Sequence, residues 1–478
     1  MKKKIIMLLV VLLLLTAGAY VGYRNWYDST HVEIETTDLP CDITELTLTG
    51  TELPDRESLL RLTNLQKLDV RSVPLTLEQY DQLRQDFPNC NILWLVPFQG
   101  QYLPPDLSEL EVSTLSASDL NVLPYFPALR KINAAGCRDY DVITLLLQQF
   151  PGLEVSYSIE IKGEEYAPDI THLAVADADI EELSAVLPYL TELEEFTFTG
   201  ITPDNEQIYQ LMCEYPNIRF LWDLTVFGVE TSNTATTLIF SGTPMTADQL
   251  ETTIRYFPDL ERVEVCDCGI PSEEMDVLTK KYPDIRFVWT IKIGNGTLRT
   301  DVTAFIPYKL GYHLYRPLYD EDCTELKYCI DMICLDMGHM KIKDFSFLEN
   351  MPNLKYLIVA DTPCQDFSVI GKLTELIYLE IFVTNFTQHE VLPSLTKLED
   401  LNLGSTPTND ITALKQMTWL KRLWIPNTGL NYLQVAELKE ALPSTRIMVY
   451  ADHSTDKGWR QAKNYYDMRD LLGMNYME

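Results

Sequence analysis

Six histidines, ten cysteines and 70 acidic residues are the side chains from which this chain could build a reactive site. The histidines are His31, His172, His313, His339, His389 and His453. None stands in an HExxH pair, which would place two imidazoles and a general base on one helical face, and none sits in a serine- or cysteine-protease signature. Cys266 and Cys268 are separated by one residue, not by the two of a zinc CxxC. Cys323, Cys329 and Cys334 have no histidine at ligand spacing. No glycine-rich phosphate loop occurs. Paired carboxylates such as Glu164-Glu165 and Glu181-Glu182 read as a solvated acidic face. The chain is therefore read as a non-enzyme, with no catalytic residue, cofactor or metal ligand assigned.

The overall charge excludes another class. Lys and Arg number 38, so the net charge is −32 over 478 residues. Such a surface repels nucleic acid and anionic lipid, which require basic contacts. Hydrophobic residues make up 46%, enough for an extended core.

The N-terminus carries an address. Lys2, Lys3 and Lys4 precede an apolar run from Ile5 to Tyr23. As a helix that run spans about 28 Å, close to the ~30 Å hydrocarbon core of a bilayer. The lysines keep to the cytoplasmic side, so the rest of the chain is expected outside. Ala17-Gly18-Ala19 also suits signal cleavage, so an uncleaved anchor and a secreted chain both stand.

Internal repetition dominates the rest of the chain. LKYLIVADT, LIYLEIFVT, LEDLNLGST and LKRLWIPNT start at Leu354, Leu376, Leu398 and Leu420, each 22 residues after the last, and MICLDMGHM starts 22 residues earlier, at Met332. Positions 1, 4 and 6 are apolar. Position 9 is Thr362, Thr384, Thr406 and Thr428, with Met340 in the first unit. Positions 4 and 6 point the same way from a short strand, into the core. A hydroxyl at position 9 can satisfy turn backbone inside the coil, repeated as a ladder.

The pattern L-x-x-L-x-L-x-x-N/T/C resembles the leucine-rich repeat family. The period, with Asp344-Phe345, Asp366-Phe367 and Asp410-Ile411 after the strands, is similar to the internalin-type bacterial surface class, with Thr where that class usually has Asn. The resemblance implies an α/β solenoid: a horseshoe with a parallel concave sheet, convex helices or 3₁₀ turns, and a C-terminal helical cap.

The N-terminal half repeats over a longer unit. FPNCNILWLVPFQG, FPGLEVSYSIEIKG, YPNIRFLWDLTVFG and YPDIRFVWTIKIGN place their prolines at Pro88, Pro151, Pro216 and Pro283. Three coils of about 22 residues fill each super-repeat of about 65. Cys137 and Cys268 fall at position 9 as structural thiols, and Trp94, Tyr157, Trp222 and Trp289 are expected to pack the core. TLEQYDQLRQDFPN and SEEMDVLTKKYPD have helical spacing.

The expected organisation is a signal peptide or anchor over 1–27, super-repeats over 28–307, an irregular joint over 308–331, 22-residue repeats over 332–450 and a cap over 451–478. In the cap, Trp459, Tyr465, Met468 and Leu471 are expected to close the open end of the last coil.

Positions 3, 5 and 7 point opposite to the leucines, toward concave solvent. Tyr356, Ile358, Tyr378 and Phe382 are expected as one exposed patch there, with Arg422 and Trp424 as a second spot, a pattern like an interface hot spot. The sequence thus reads as an exported, cell-surface leucine-rich repeat protein that binds an extracellular protein, peptide or glycan. It touches the membrane through an uncleaved N-terminus and takes no nucleic acid. The alternative is an envelope scaffold whose function is its anchor.

Overall fold

The computed structural model describes residues 2–474. Met1 of the expected leader and Asn475 to Glu478 of the expected cap lie outside them. Packing divides the chain into two units, Met1–Phe220 and Leu221–Glu478.

In the first unit the apolar N-terminus is a helix, Lys2–Thr30, whose apolar side chains from Ile5 to Tyr23 are exposed. It has the length and composition to cross a membrane. Its end is tied down by the Arg61 guanidinium, which donates to the carbonyls of Asp28 and His31.

Beyond this helix the elements alternate regularly. The hairpin His31–Ile34/Thr37–Pro40 precedes three parallel strands, Glu45–Thr47, Lys67–Asp69 and Asn91–Leu93. The hairpin Val96–Phe98/Gln101–Leu103 precedes Glu109–Glu111, Lys131–Asn133 and Glu154–Ser156. The hairpin Ile159–Ile161/Glu164–Tyr166 precedes the pair His172–Ala176 and Glu195–Thr199. Convex helices return the chain between strands. Leu77–Asp86 starts at a capping box, in which Thr76 and Gln79 each accept from the other's backbone N–H, and it stops at Phe87 before Pro88. The second unit opens in the same manner, with the hairpin Asp223–Val226/Val229–Ser232 and then Thr237–Ile239, Arg262–Val265 and Arg286–Ile293.

The hairpins are the part of the super-repeat that the coil pattern does not predict. In three of the four the turns are Gln99-Gly100, Lys162-Gly163 and Phe227-Gly228, with both residues at positive φ in each case. A two-residue turn of this kind matches the right-handed twist of its strands, and glycine takes the second position without a Cβ penalty. Trp94, Trp222 and Trp289 are buried as expected, and Tyr157 is partly so.

From Ala304 the second unit builds a seven-stranded parallel sheet: Ala304–Phe305, Cys334–Asp336, Tyr356–Ile358, Tyr378–Glu380, Asp400–Asn402, Arg422–Trp424 and Arg446–Met448. This is a coil of leucine-rich repeat type. Leu335, Leu357, Leu379, Leu401 and Leu423 pair laterally in register and are fully buried. The convex returns are 3₁₀ turns such as Ser346–Asn350 and Ser368–Lys372. Asp344, Asp366 and Asp410 each accept a backbone N–H two residues on, from Ser346, Ser368 and Thr412. The phenylalanine after the first two of these aspartates turns inward. Phe345, Phe367 and Phe386 form a ring column with centroids 6.2 and 5.8 Å apart.

The expected hydroxyl ladder is present. Thr362, Thr384, Thr406 and Thr428 donate to the carbonyls of Val359, Ile381, Leu403 and Ile425 at 2.8, 2.6, 2.7 and 3.0 Å. Beside it, position 8 is left-handed in every coil, at His339, Asp361, Val383, Ser405 and Asn427. The first four of these aim their N–H groups at the next coil, donating to the carbonyls of Ala360, Phe382, Gly404 and Pro426.

The stretch 308–331 is irregular, and Leu318, Cys323, Leu326 and Cys329 are buried in it, so it also serves as the long return of the first coil of this sheet. One expectation is corrected. The C-terminal segment does not close the last coil. It doubles back across the concave face, from Ser454 beside Asn402 to Met468 beside Cys334. Trp459 and Met468 are buried there, whereas Leu471 is 41% exposed and Leu472 takes the inward position.

Candidate functional site

The concave face of this sheet is the candidate site. Its two inner rows are set by strand register: Cys334, Tyr356, Tyr378, Asp400, Arg422 and Arg446 in one, Asp336, Ile358, Glu380, Asn402, Trp424 and Met448 in the other. The four residues expected as an exposed patch and the two expected as a second spot all lie on this side, but none is exposed. Tyr378 and Trp424 are fully buried, and Tyr356, Ile358, Phe382 and Arg422 are at most 9% exposed. The physical reason is the returning C-terminal segment. With Trp459, Met468 and Leu472 these residues form an apolar cluster on the concave side of the sheet, except Arg422, which pairs with Asp400.

The segment is held by its backbone carbonyls. Asn402 Nδ2 donates to the carbonyl of Ser454 at 2.8 Å, and Trp424 Nε1 to that of Asp456 at 3.1 Å. Arg446 reaches the Lys457 carbonyl at 3.0 Å, and Arg422 reaches those of Gly458 and Trp459 at 3.4 and 2.8 Å. Four face side chains thus donate to five carbonyls between residues 454 and 459, two of which, those of Asp456 and Gly458, also accept a backbone N–H within the segment, from Trp459 and Gln461.

Trp459 is the anchor. Its ring stacks on Tyr378 at 5.2 Å between centroids, packs against Trp424 at 5.2 Å, and lies under the Arg422 guanidinium at 4.6 Å. Its indole N–H donates to Glu380 Oε1 at 2.6 Å. Glu380 is fully buried and also accepts from the Tyr378 hydroxyl and from Arg460, at 2.9 Å to Oε2. Burial, with the Glu380 charge second, pushes the Tyr378 hydroxyl well above the usual phenol range. One strand on, Asp400 and Arg422 form a two-pronged ion pair at 2.7 and 2.8 Å, and Asn464 of the returning segment donates to Asp400 at 2.9 Å.

The repeat pattern places Glu380, Asp400 and Asn402 on this face without giving them a role, and it does not reach Arg446 or the segment's contacts. One signal is available in the sequence: Asp400 and Arg422 are 22 residues apart at position 3, so register alone sets opposite charges side by side. Among the described residues no group of three His, Cys, Asp or Glu side chains is arranged to hold a metal ion. The cysteines form no disulfides. Burial raises the Cys323 and Cys329 thiols to about 12, so they stay protonated.

Coil and site together define a fold of leucine-rich repeat type with an occupied concave face. No family model and no curated protein matches the chain. Among solved structures, an internalin of Listeria monocytogenes is 14% identical, covering 92% of this chain and 89% of its own, with a TM-score of 0.26. Internalin C2 of the same organism is 19% identical over 45% of this chain and 80% of its own, at 0.26. A leucine-rich repeat protein of Leptospira interrogans is 16% identical over 85% and 96%, at 0.27. At this level of agreement the coil is defined by the chain's own strand register and buried leucine columns.

Proposed function

We propose that this chain is an exported leucine-rich repeat protein, held at the membrane by its N-terminal helix or released by cleavage, that binds a protein or peptide and catalyses nothing. The six residues Tyr356, Ile358, Tyr378, Phe382, Arg422 and Trp424, with Glu380, Asp400, Asn402 and Arg446, form its recognition surface. The observation that carries this reading is the grip on residues 454–459: side chains of a sheet hold a turn-rich segment by its carbonyls and by one buried tryptophan. Affinity from the main chain and selectivity from an aromatic anchor are the usual division of labour in peptide recognition. Export rests on the exposed apolar helix preceded by lysines. The net charge of −32 argues against nucleic acid as partner.

The scaffold reading draws on the same contact, since a face covered by its own chain offers no vacant surface. One experiment separates the two. The full chain carrying Trp459→Ala and Arg460→Ala is titrated with a fluorescent peptide of residues 452–474. Saturable binding to the variant, with none to the wild type, supports a recognition surface. A variant that keeps its thermal transition and ignores the peptide favours the scaffold. External protease on intact cells tests export: a repeat region shielded until the cells are broken ends that part of the reading.

A further inference from the structure

Where the C-terminal segment crosses the first strands of the sheet it leaves a cavity of about 460 Å³. That is the size range of small-molecule sites, about 300–1,000 Å³. Tyr308 and Tyr312 from the long return, Ile358 and Phe382 from the sheet side, and Arg460 from the segment line it, and one carboxylate, Asp336, stands in its wall.

The charges around that carboxylate are already committed elsewhere. Arg460 is engaged by Glu380, with contacts of 2.9 and 3.3 Å. His339 pairs through Nδ1 with Asp361 at 2.9 Å. The Tyr312 hydroxyl accepts the Asn295 N–H. Asp336 Oδ1 accepts only the Gly338 N–H, at 3.0 Å, and Oδ2 has no hydrogen-bond partner among the described residues. The cavity is thus an aromatic and aliphatic chamber with one unanswered negative charge in its wall.

We propose that this cavity binds a small organic cation, an ammonium group against Asp336 Oδ2 with an aromatic or alkyl body between Tyr308, Tyr312 and Phe382. The ammonium supplies the charge-assisted hydrogen bond that Oδ2 lacks. Ring faces beside it add cation–π attraction. The apolar walls take the body of the ligand. This site lies beside the grip on residues 454–459, shares Ile358 and Phe382 with that face, and does not depend on the segment ever leaving it.

The probe is 2-phenylethylammonium, titrated calorimetrically into the full chain near neutral pH, with phenylacetate as the oppositely charged control. The expected result is saturable binding of one ammonium, no binding of phenylacetate, and a loss of at least about tenfold on Asp336→Asn. Tyr308 is 61% exposed at the rim, so Tyr308→Ala should weaken binding several-fold without shifting the thermal transition. A second readout is pH. Burial, with Glu380 adding to it and Arg460 and His339 opposing, pushes Asp336 up to about 6, so binding should fade as pH drops through that value. An ammonium that does not bind, that binds Asp336→Asn as well as wild type, or that is matched by phenylacetate overturns the assignment.

Discussion

The indole N–H of Trp459 meets the carboxylate of Glu380, 79 residues earlier in the chain, at 2.6 Å in a fully buried setting. That contact joins the returning segment to the centre of the sheet, and it makes Glu380 dependent on the segment for two of its three side-chain donors. A buried carboxylate deprived of its donors has no water to turn to.

Glu380→Ala should therefore be among the most damaging single changes in the second unit. It leaves the buried Trp459 N–H and Tyr378 hydroxyl without their acceptor and frees the partly exposed Arg460 guanidinium, at a cost of about 2–3 kcal/mol. Glu380→Gln keeps an acceptor and should cost less. Urea unfolding midpoints of the two variants check the order, and equal midpoints would refute it.

Thr406→Val tests the hydroxyl ladder where it is most connected. The Thr406 hydroxyl donates to the Leu403 carbonyl at 2.7 Å and lies 2.7 Å from that of Thr408, which meets His389 Nε2 at 2.9 Å. Replacing the hydroxyl by a methyl keeps the volume, leaves the Leu403 carbonyl only the Thr406 backbone N–H at 3.3 Å, and removes a partner of the buried Thr408 hydroxyl, for about 1 kcal/mol. An unchanged denaturation midpoint would show that the bond contributes nothing.

Val383 is the one β-branched residue at the left-handed position 8, at φ 53°, and it is exposed. Its neighbours there are His, Asp, Ser and Asn, of which Asn tolerates this conformation best. Val383→Asn should raise stability by about 1 kcal/mol, since the strain is relieved and little packing is lost. A lower thermal midpoint would mean that the valine makes contacts outweighing its backbone strain.

Asp336 and His389 should shape the pH dependence in opposite senses. Asp336 is raised by burial to about 6, so the folded state holds its proton more tightly than the unfolded chain. Its contribution is fully present below the ordinary carboxylate value near 3.8 and is lost as pH rises through about 6. Asp336→Asn should therefore stabilise the protein at neutral pH, by about 1–2 kcal/mol after discounting for its partial exposure, and leave it unchanged near pH ~3. Chemical unfolding at the two pH values decides it: no gain at neutral pH sinks the prediction.

For His389 burial lowers the pKa below 6.5, so the fold favours the neutral ring. That contribution is present above 6.5 and is lost as pH falls through 6.5 toward the lower folded value. His389→Gln should flatten the stability profile across that window while lowering it overall. A profile of unchanged shape would assign the acid sensitivity elsewhere.

The sequence by itself determined the coil. A 22-residue period with apolar residues at positions 1, 4 and 6 leaves each unit one way to bury them, by stacking on the next, and Leu335 to Leu423 pair in that register. The threonine column was legible for the same reason: its partners lie three residues back, so spacing specifies the bond. The super-repeat was legible in its length but its hairpins were not, although Gln99-Gly100 and Lys162-Gly163 carry the turn chemistry. Tertiary structure alone decided the fate of the concave face. Period and register place Tyr378 and Trp424 on that side, but they are silent on what covers it. Trp459 and Glu380 are far apart in the chain, and neither belongs to a pattern that names the other. Their meeting depends on the path of the non-repeating segment after the last strand, chosen by the sum of one aromatic stack, one ion pair and five carbonyls meeting donors.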